Sequence, residues 1–182
     1  MDYSERDMEN AICEANLLER YGIQIIEQQY RIAYGVIDIL GYCPDENCLA
    51  IIELKKDIVD ESAVGQVMRY MATMYELVNE LKKRDDTPEE IKNLKPGSIG
   101  ILIGSNATEG VKAIVRCFPF LSFIEAGVSL DVSLYQPRYR RTQESLDADV
   151  NNFINSDVLG YISMCIAQQK ETEEAAQPET EE

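Results

Sequence analysis

Apolar positions recur along this chain with two different periods, and the switches between them mark out the elements. After Ser4, the residues Met8, Ala11, Ile12, Ala15 and Leu18 fall three or four apart, which predicts a helix buried along one stripe. Ser4 with Asp7 three residues later is a capping-box-like start, weaker for Asp than for Glu. Residues 23–32 and 34–42 read as strands, and the turn CPDEN leads into a third at residues 49–54, so the three form an antiparallel meander. A long helix is predicted over residues 61–83, with Ala63, Val67, Met74, Leu77, Val78 and Leu81 as its apolar stripe. A polar loop at 84–97, containing Pro88 and Pro96, then leads to SIGILIG, a continuous apolar run of the kind that a crossover makes parallel. Residues 107–118 read as another helix and 128–135 as a last strand. The order is αβββαβ, an α/β class with a mixed central sheet flanked by helices.

Outside that core, residues 142–167 show an extra C-terminal helical pattern through Leu146, Val150, Phe153, Ile154, Val158, Tyr161, Ile162 and Cys165. Packing on the flank of the sheet is the expectation for it, with a dimer interface as the alternative. Residues 1–167 are therefore expected to form one domain, and the acidic tail 168–182, which lacks aromatics, to be disordered.

Several polar residues interrupt these apolar runs. Asp38 lies between Val36, Ile37 and Ile39, Leu40, and Glu53 and Lys55 close the third strand. Side chains alternate along a strand, so Glu53 and Lys55 project from one face while Ile52 and Leu54 project from the other. Burying charge is costly unless it is paired or bound to metal, although a Glu-x-Lys pair at a strand end is also common as a solvated ion pair. Gln66 and Tyr70 lie one turn apart beside the stripe of the long helix, where a polar group needs partners. On the first helix, Glu5 extends the buried stripe with a carboxylate. Glu9, one turn on, is an equally placed rival, and the helix macrodipole alone would favour an acid there.

Asp38, then Glu53-x-Lys55, then Gln66-x-x-x-Tyr70 resembles the PD-(D/E)XK nuclease superfamily, which has a restriction-endonuclease-like fold, in the branch with the Gln-x-x-x-Tyr motif. The wording GVIDILGY, LAIIELKK and AVGQVMRYM is most similar to the catalytic domain of NucS/EndoMS-type endonucleases, specifically across about residues 4–75 and loosely to about 136. That domain opens with a helix carrying a Glu about thirty residues before the Asp, which Glu5 matches best. The resemblance implies metal-assisted phosphodiester hydrolysis with Mg²⁺ or Mn²⁺. Asp38, Glu53 and the Leu54 backbone carbonyl would bind the ion, with Glu5 joining directly or through water. Lys55 would orient or help deprotonate the attacking water and offset charge in the transition state, with Gln66 and Tyr70 positioning it and the scissile strand. Family proteins also carry a separate N-terminal dimerisation and DNA-binding domain, whereas this chain opens at the catalytic helix. The resemblance therefore implies the chemistry but not the substrate. A non-cleaving module that keeps the fold and binds nucleic acid or protein is the alternative; completeness of the motif set favours cleavage.

The 182 residues contain no His, so acid–base work and metal binding must use carboxylates and Lys. Five Cys without Cys-x-x-Cys spacing predict buried, reduced thiols, and argue against an iron–sulfur nuclease. No apolar run is long enough for a membrane span, and the charged start MDYSERDMEN does not fit a signal peptide, which points to the cytoplasm. The net charge of −16 is awkward for binding DNA, or RNA; the tail holds six Glu against one Lys, so residues 1–167 still carry −11. Phosphate contact would then fall to local clusters: Lys56 beside Lys55, Arg69, Lys82/Lys83/Arg84, and Arg138, Arg140 and Arg141 around Tyr139. The acidity would lower non-specific DNA affinity or mark a protein partner, or a second copy of the chain, that delivers substrate. From the composition of the tail, deleting residues 169–182 should leave the melting temperature unchanged, and a drop of several degrees in a thermal scan would show that the tail docks.

Overall fold

The computed structural model describes residues 4–125, 129–133, 160, 162–164 and 167. The capping box at Ser4 is formed: Ser4 Oγ accepts from the Asp7 amide, and the Asp7 carboxylate accepts from the Ser4 amide. It starts α1 (Glu5–Glu14). Met8, Ile12 and Leu18 are buried as predicted, but Ala11 and Ala15 are exposed. The helix ends at Glu14 and Asn16 takes a φ of +50°, which breaks the period that put Ala15 on the stripe.

The meander follows as β1 (Gln24–Ile32), β2 (Gly35–Cys43) and β3 (Cys48–Leu54), each antiparallel to the last. After a two-residue β4 (Ile58–Val59), Asp60 caps α2 (Glu61–Lys82) by accepting from the Ser62 and Ala63 amides. The loop predicted at 84–97 contains a short α3 (Glu89–Asn93), because its two apolar residues, Ile91 and Leu94, are drawn fully into the core. The crossover through α2 places β5 (Ser98–Gly104) parallel to β3. β6 (Asn106–Ala107) pairs with β4, and α4 (Glu109–Cys117) crosses to β7 (Leu121–Glu125), parallel to β5 and not foreseen from the sequence. Antiparallel β8 (Ser129–Ser133) completes a six-stranded sheet in the order β1-β2-β3-β5-β7-β8. The sheet is mixed and flanked by helices, the restriction-endonuclease-like architecture.

All seven residues of β3 are buried, because both of its faces are covered. Ala50, Ile52 and Leu54 pack with Met8 and Ile12 of α1, whereas Leu49 and Ile51 pack with Met74, Leu77, Val78 and Leu81 of α2. Ile162 is fully buried in this second cluster, which fits flank packing of the C-terminal pattern; the rest of that pattern lies largely outside the described residues, as does the tail. Cys43 and Cys48 are free, buried cross-strand neighbours, and Cys13 is half-buried. Cys117 is exposed rather than buried, because it ends α4 beyond the buried Val111 and Val115; Cys165 lies outside the described residues. Among the described residues, no helix is long and apolar enough to cross a membrane.

Glycine permits the close approach of α2 to the sheet. A Cβ at Gly100 would lie 2.6 Å from both Val67 Cγ1 and Met71 Sδ and 3.0 Å from Leu121 Cδ1. Gly100→Ala should therefore destabilise the fold by about 1–3 kcal/mol, read as a lower urea midpoint at unchanged slope.

Candidate active site

The β2–β3 register sets the centre of the site. Ile39 pairs with Ile52, so Asp38 stands opposite Glu53 at the end of the two strands. Asp38 Oδ2 accepts from the Leu54 amide at 2.8 Å, so Leu54 meets Asp38 through its N–H and its carbonyl is not used in that contact. Glu53 is 1% exposed; its Oε1 accepts from Lys55 Nζ at 2.6 Å, and its Oε2 is buried without a partner. The Lys55 amide donates to the Ile103 carbonyl at 2.8 Å, which fixes the backbone just beyond β3 against β5.

α1 brings two of its acids, Glu5 and Glu9, to this end of the sheet, in different ways. Glu5 is exposed, and its Oε1 accepts from the Lys56 amide at 3.1 Å. Glu9 is buried at 2% exposure and its Oε2 accepts from Gln29 Nε2 at 2.7 Å, while the same amide lies 3.4 Å from Asp38 Oδ1. Gln29 is a site residue that the sequence reading missed. Its placement depends on a bulge in β1, where the register shifts between Ile25 and Glu27. Gln66 Nε2 donates to Tyr70 Oη at 3.1 Å, so the two form a pair. Tyr70 is buried against Gly35, where φ is +145° and a Cβ would collide with the Tyr70 hydroxyl. The Lys55 ammonium is held by Glu53 rather than by this pair.

Burial pushes the Glu53 carboxyl up to about 7, and the nearby Asp38 and Glu5 charges add to this against the opposing Lys55. Burial also raises Asp38, despite the Leu54 hydrogen bond and the Lys55 charge, and it raises Glu9. For Lys55, burial pulls the pKa down, but the Glu53 hydrogen bond and the charges of Glu53, Glu5 and Asp38 outweigh it, so the ammonium is firmly protonated. The site thus holds more negative charge than it can stabilise alone. Among the described residues, no three acidic, His or Cys side chains already form a metal cage. The donors that suit a hard cation are the unpartnered Glu53 Oε2, the Asp38 carboxylate and the exposed Glu5.

The basic clusters are less concentrated. Lys56 is half-buried near Glu5 and Arg69 is exposed on α2. Lys83 pairs with Glu80 and Arg84 with Asp86, the behaviour of solvated faces. Arg138, Arg140 and Arg141 lie outside the described residues.

Residues 4–95 match the family described as the Endonuclease NucS C-terminal domain. The chain belongs to this family. It is 30% identical over 113 residues to Endonuclease NucS of Pyrococcus abyssi, covering 62% of this chain and 38% of that protein. To Endonuclease NucS of Methanocaldococcus jannaschii it is also 30% identical over 113 residues, covering 62% and 37%. The chain thus spans under two fifths of the length of these relatives. Among solved structures it is similar to a repair endonuclease from Pyrococcus abyssi, with TM-score 0.47, 28% identity, and 69% of this chain and 47% of that one covered. An EndoMS–double-stranded DNA complex gives TM-score 0.47 and 23% identity, covering 71% and 47%.

The raised Glu53 pKa dictates how this family member responds to pH. Folded, the group keeps its proton to about 7 against an ordinary 4.5, so its contribution to stability is full below about 4.5 and lost as pH rises through about 7. The melting temperature of metal-free protein should fall by several degrees across that window, and Glu53→Gln should flatten the fall. An undiminished slope in the variant would place the titration elsewhere.

Proposed function

We propose that this domain is an endonuclease hydrolysing phosphodiester bonds in DNA with Mg²⁺ or Mn²⁺, in a repair, defence or mobile-element setting. The carrying observation is the convergence of Asp38, Glu53 and Lys55 at one sheet end around a buried carboxylate oxygen without a partner. Membership of the Endonuclease NucS C-terminal domain family supports the same reading.

Asp38, Glu53, the Leu54 carbonyl and Glu5 would hold the cation, Glu5 directly or through a water. When bound, the cation supplies Lewis-acid polarisation of the phosphate and a more acidic attacking water. Asp38 is pre-set for this by the Leu54 amide on its Oδ2 and by Gln29 Nε2, 3.4 Å from its Oδ1. Lys55 is held as an ammonium, so it donates: it orients the attacking water and offsets charge on the phosphorane-like transition state. Gln66 and Tyr70, bonded to each other on α2, position the scissile strand beside it. With a net charge of −16 there is little general attraction for phosphate, so contacts fall to Lys56, Arg69 and the Arg138, Arg140 and Arg141 cluster, or to a partner or second copy that delivers the DNA.

Purified protein with Mg²⁺ or Mn²⁺ should cut at least one member of a panel of labelled duplex, single-stranded, branched and mismatched DNAs, with RNAs for comparison. Asp38→Ala, Glu53→Ala and Lys55→Ala should each lower cleavage by about two orders of magnitude or more while remaining folded. A clean preparation that cuts nothing, or a Lys55→Ala protein as active as wild type, would sink the enzyme reading.

A further inference from the structure

Gln29 belongs to neither the Asp-Glu-Lys constellation nor the Gln-x-x-x-Tyr pair, yet its conformation is unusual. It lies within β1 with a φ of +53°, a left-handed backbone that is costly for any residue with a Cβ and persists only where the surroundings hold it. Its neighbours Gln28 and Tyr30 pair with Ile39 and Ile37, which puts Gln29 opposite Asp38. Its Nε2 is 2.7 Å from Glu9 Oε2 and 3.4 Å from Asp38 Oδ1, so one amide group spans two carboxylates from different elements. Glu9 has a side chain only 3% exposed, with Arg6 Nη1 3.7 Å away and its own Oε1 without a partner.

A neutral amide suits this place. Two nearby carboxylates repel, and an amide NH₂ offers each a hydrogen while adding no charge. Lys or Arg there would bridge them too, but would cancel the negative charge that draws a divalent cation. With Leu54 N–H on Oδ2 and Gln29 Nε2 on Oδ1, rotation of the Asp38 carboxylate is restrained at both oxygens.

We propose that Gln29 is a positioning residue, a left-handed strand residue whose side-chain amide ties buried Glu9 of α1 to Asp38 of β2 and so fixes the Asp38 carboxylate and the seat of α1 at the site. This rests on the nuclease reading for its consequence, but the bridge itself can be measured without it.

Two arms on the full chain separate these. In the metal-free arm, urea unfolding of wild type, Gln29→Gly, Glu9→Ala and the double variant forms a cycle. Glycine takes the left-handed backbone freely, so Gln29→Gly removes the amide without forcing the strand. The effects should be clearly non-additive, since either change alone breaks the same contact; additivity would overturn the bridge. In the metal arm, Mn²⁺ binding is read by calorimetry alongside DNA cleavage. Gln29→Gly should weaken Mn²⁺ about tenfold and lower kcat with KM for DNA within about twofold, the pattern of a lost orienting contact. Gln29→Asn, which tolerates the same backbone but is one carbon too short to span both acids, should behave alike and stands in if the glycine variant does not fold. Mn²⁺ affinity and kcat within about twofold of wild type in either folded variant would overturn the positioning role and leave Gln29 an anchor for α1. A wild-type protein that neither binds Mn²⁺ nor cuts would overturn the nuclease reading, with the cycle still deciding the bridge.

Discussion

Glu53 is a carboxylate at 1% exposure, with one oxygen on Lys55 and the other on nothing, and much of the domain is arranged so that it can stay there. An ion pair in such a place does little for stability, because desolvating both charges offsets their attraction. What keeps it in position is the rest of β3, where Ala50, Ile52 and Leu54 are gripped by α1 on one face and Leu49 and Ile51 by α2 on the other. The hydrophobic contacts supply the stability, and the site uses part of it to hold charge in an environment that resists charge.

The consequences run outward from that residue. Burial raises the proton affinity of both Glu53 and Asp38, the Asp38 charge facing Glu53 across the β2–β3 register raises that of Glu53 further, and Lys55 is locked into its protonated form. A site of this kind keeps a proton more readily than an exposed carboxylate does. The α1 helix adds to the negative charge instead of relieving it: Glu5 reaches the Lys56 amide, and Glu9 is buried behind Gln29. The acids therefore come from three separate stretches of chain, tied by backbone N–H groups and one side-chain amide.

The acidic surface belongs to the same picture. With 33 acidic residues against 17 basic ones, the protein as a whole repels phosphate. Several basic residues that look like a DNA-facing cluster in the sequence are tied up locally, Lys83 by Glu80 and Arg84 by Asp86. That leaves little general attraction for a polyanion.

Much of this was legible in the amino-acid order. Period and turn chemistry determined α1, the β1–β3 meander, α2 and β5, because each is long, strongly patterned and bounded by caps or turns such as Ser4, Asp60 and CPDEN. Strand alternation alone put Glu53 and Lys55 on one face, where they do meet. Short elements were not legible: β7 is only five residues, LSFIE, whose apolar run is broken by Ser122 and ends at Glu125, and α3 forms only because Ile91 and Leu94 find a core to enter. Nor could helical spacing rank Glu5 against Glu9, since both stand at that spacing from the buried stripe and only the family resemblance favoured Glu5; the packing of α1 on the sheet leaves Glu5 exposed and buries Glu9. Gln29 was invisible for a related reason. Its place opposite Asp38 depends on a bulge and a left-handed backbone angle, and these are fixed by the partner strand and by Glu9 rather than by anything local to QIIEQQYRI. Local pattern determines which residues share an element; only tertiary contact decides which of them end up sharing a proton, a hydrogen bond or a charge.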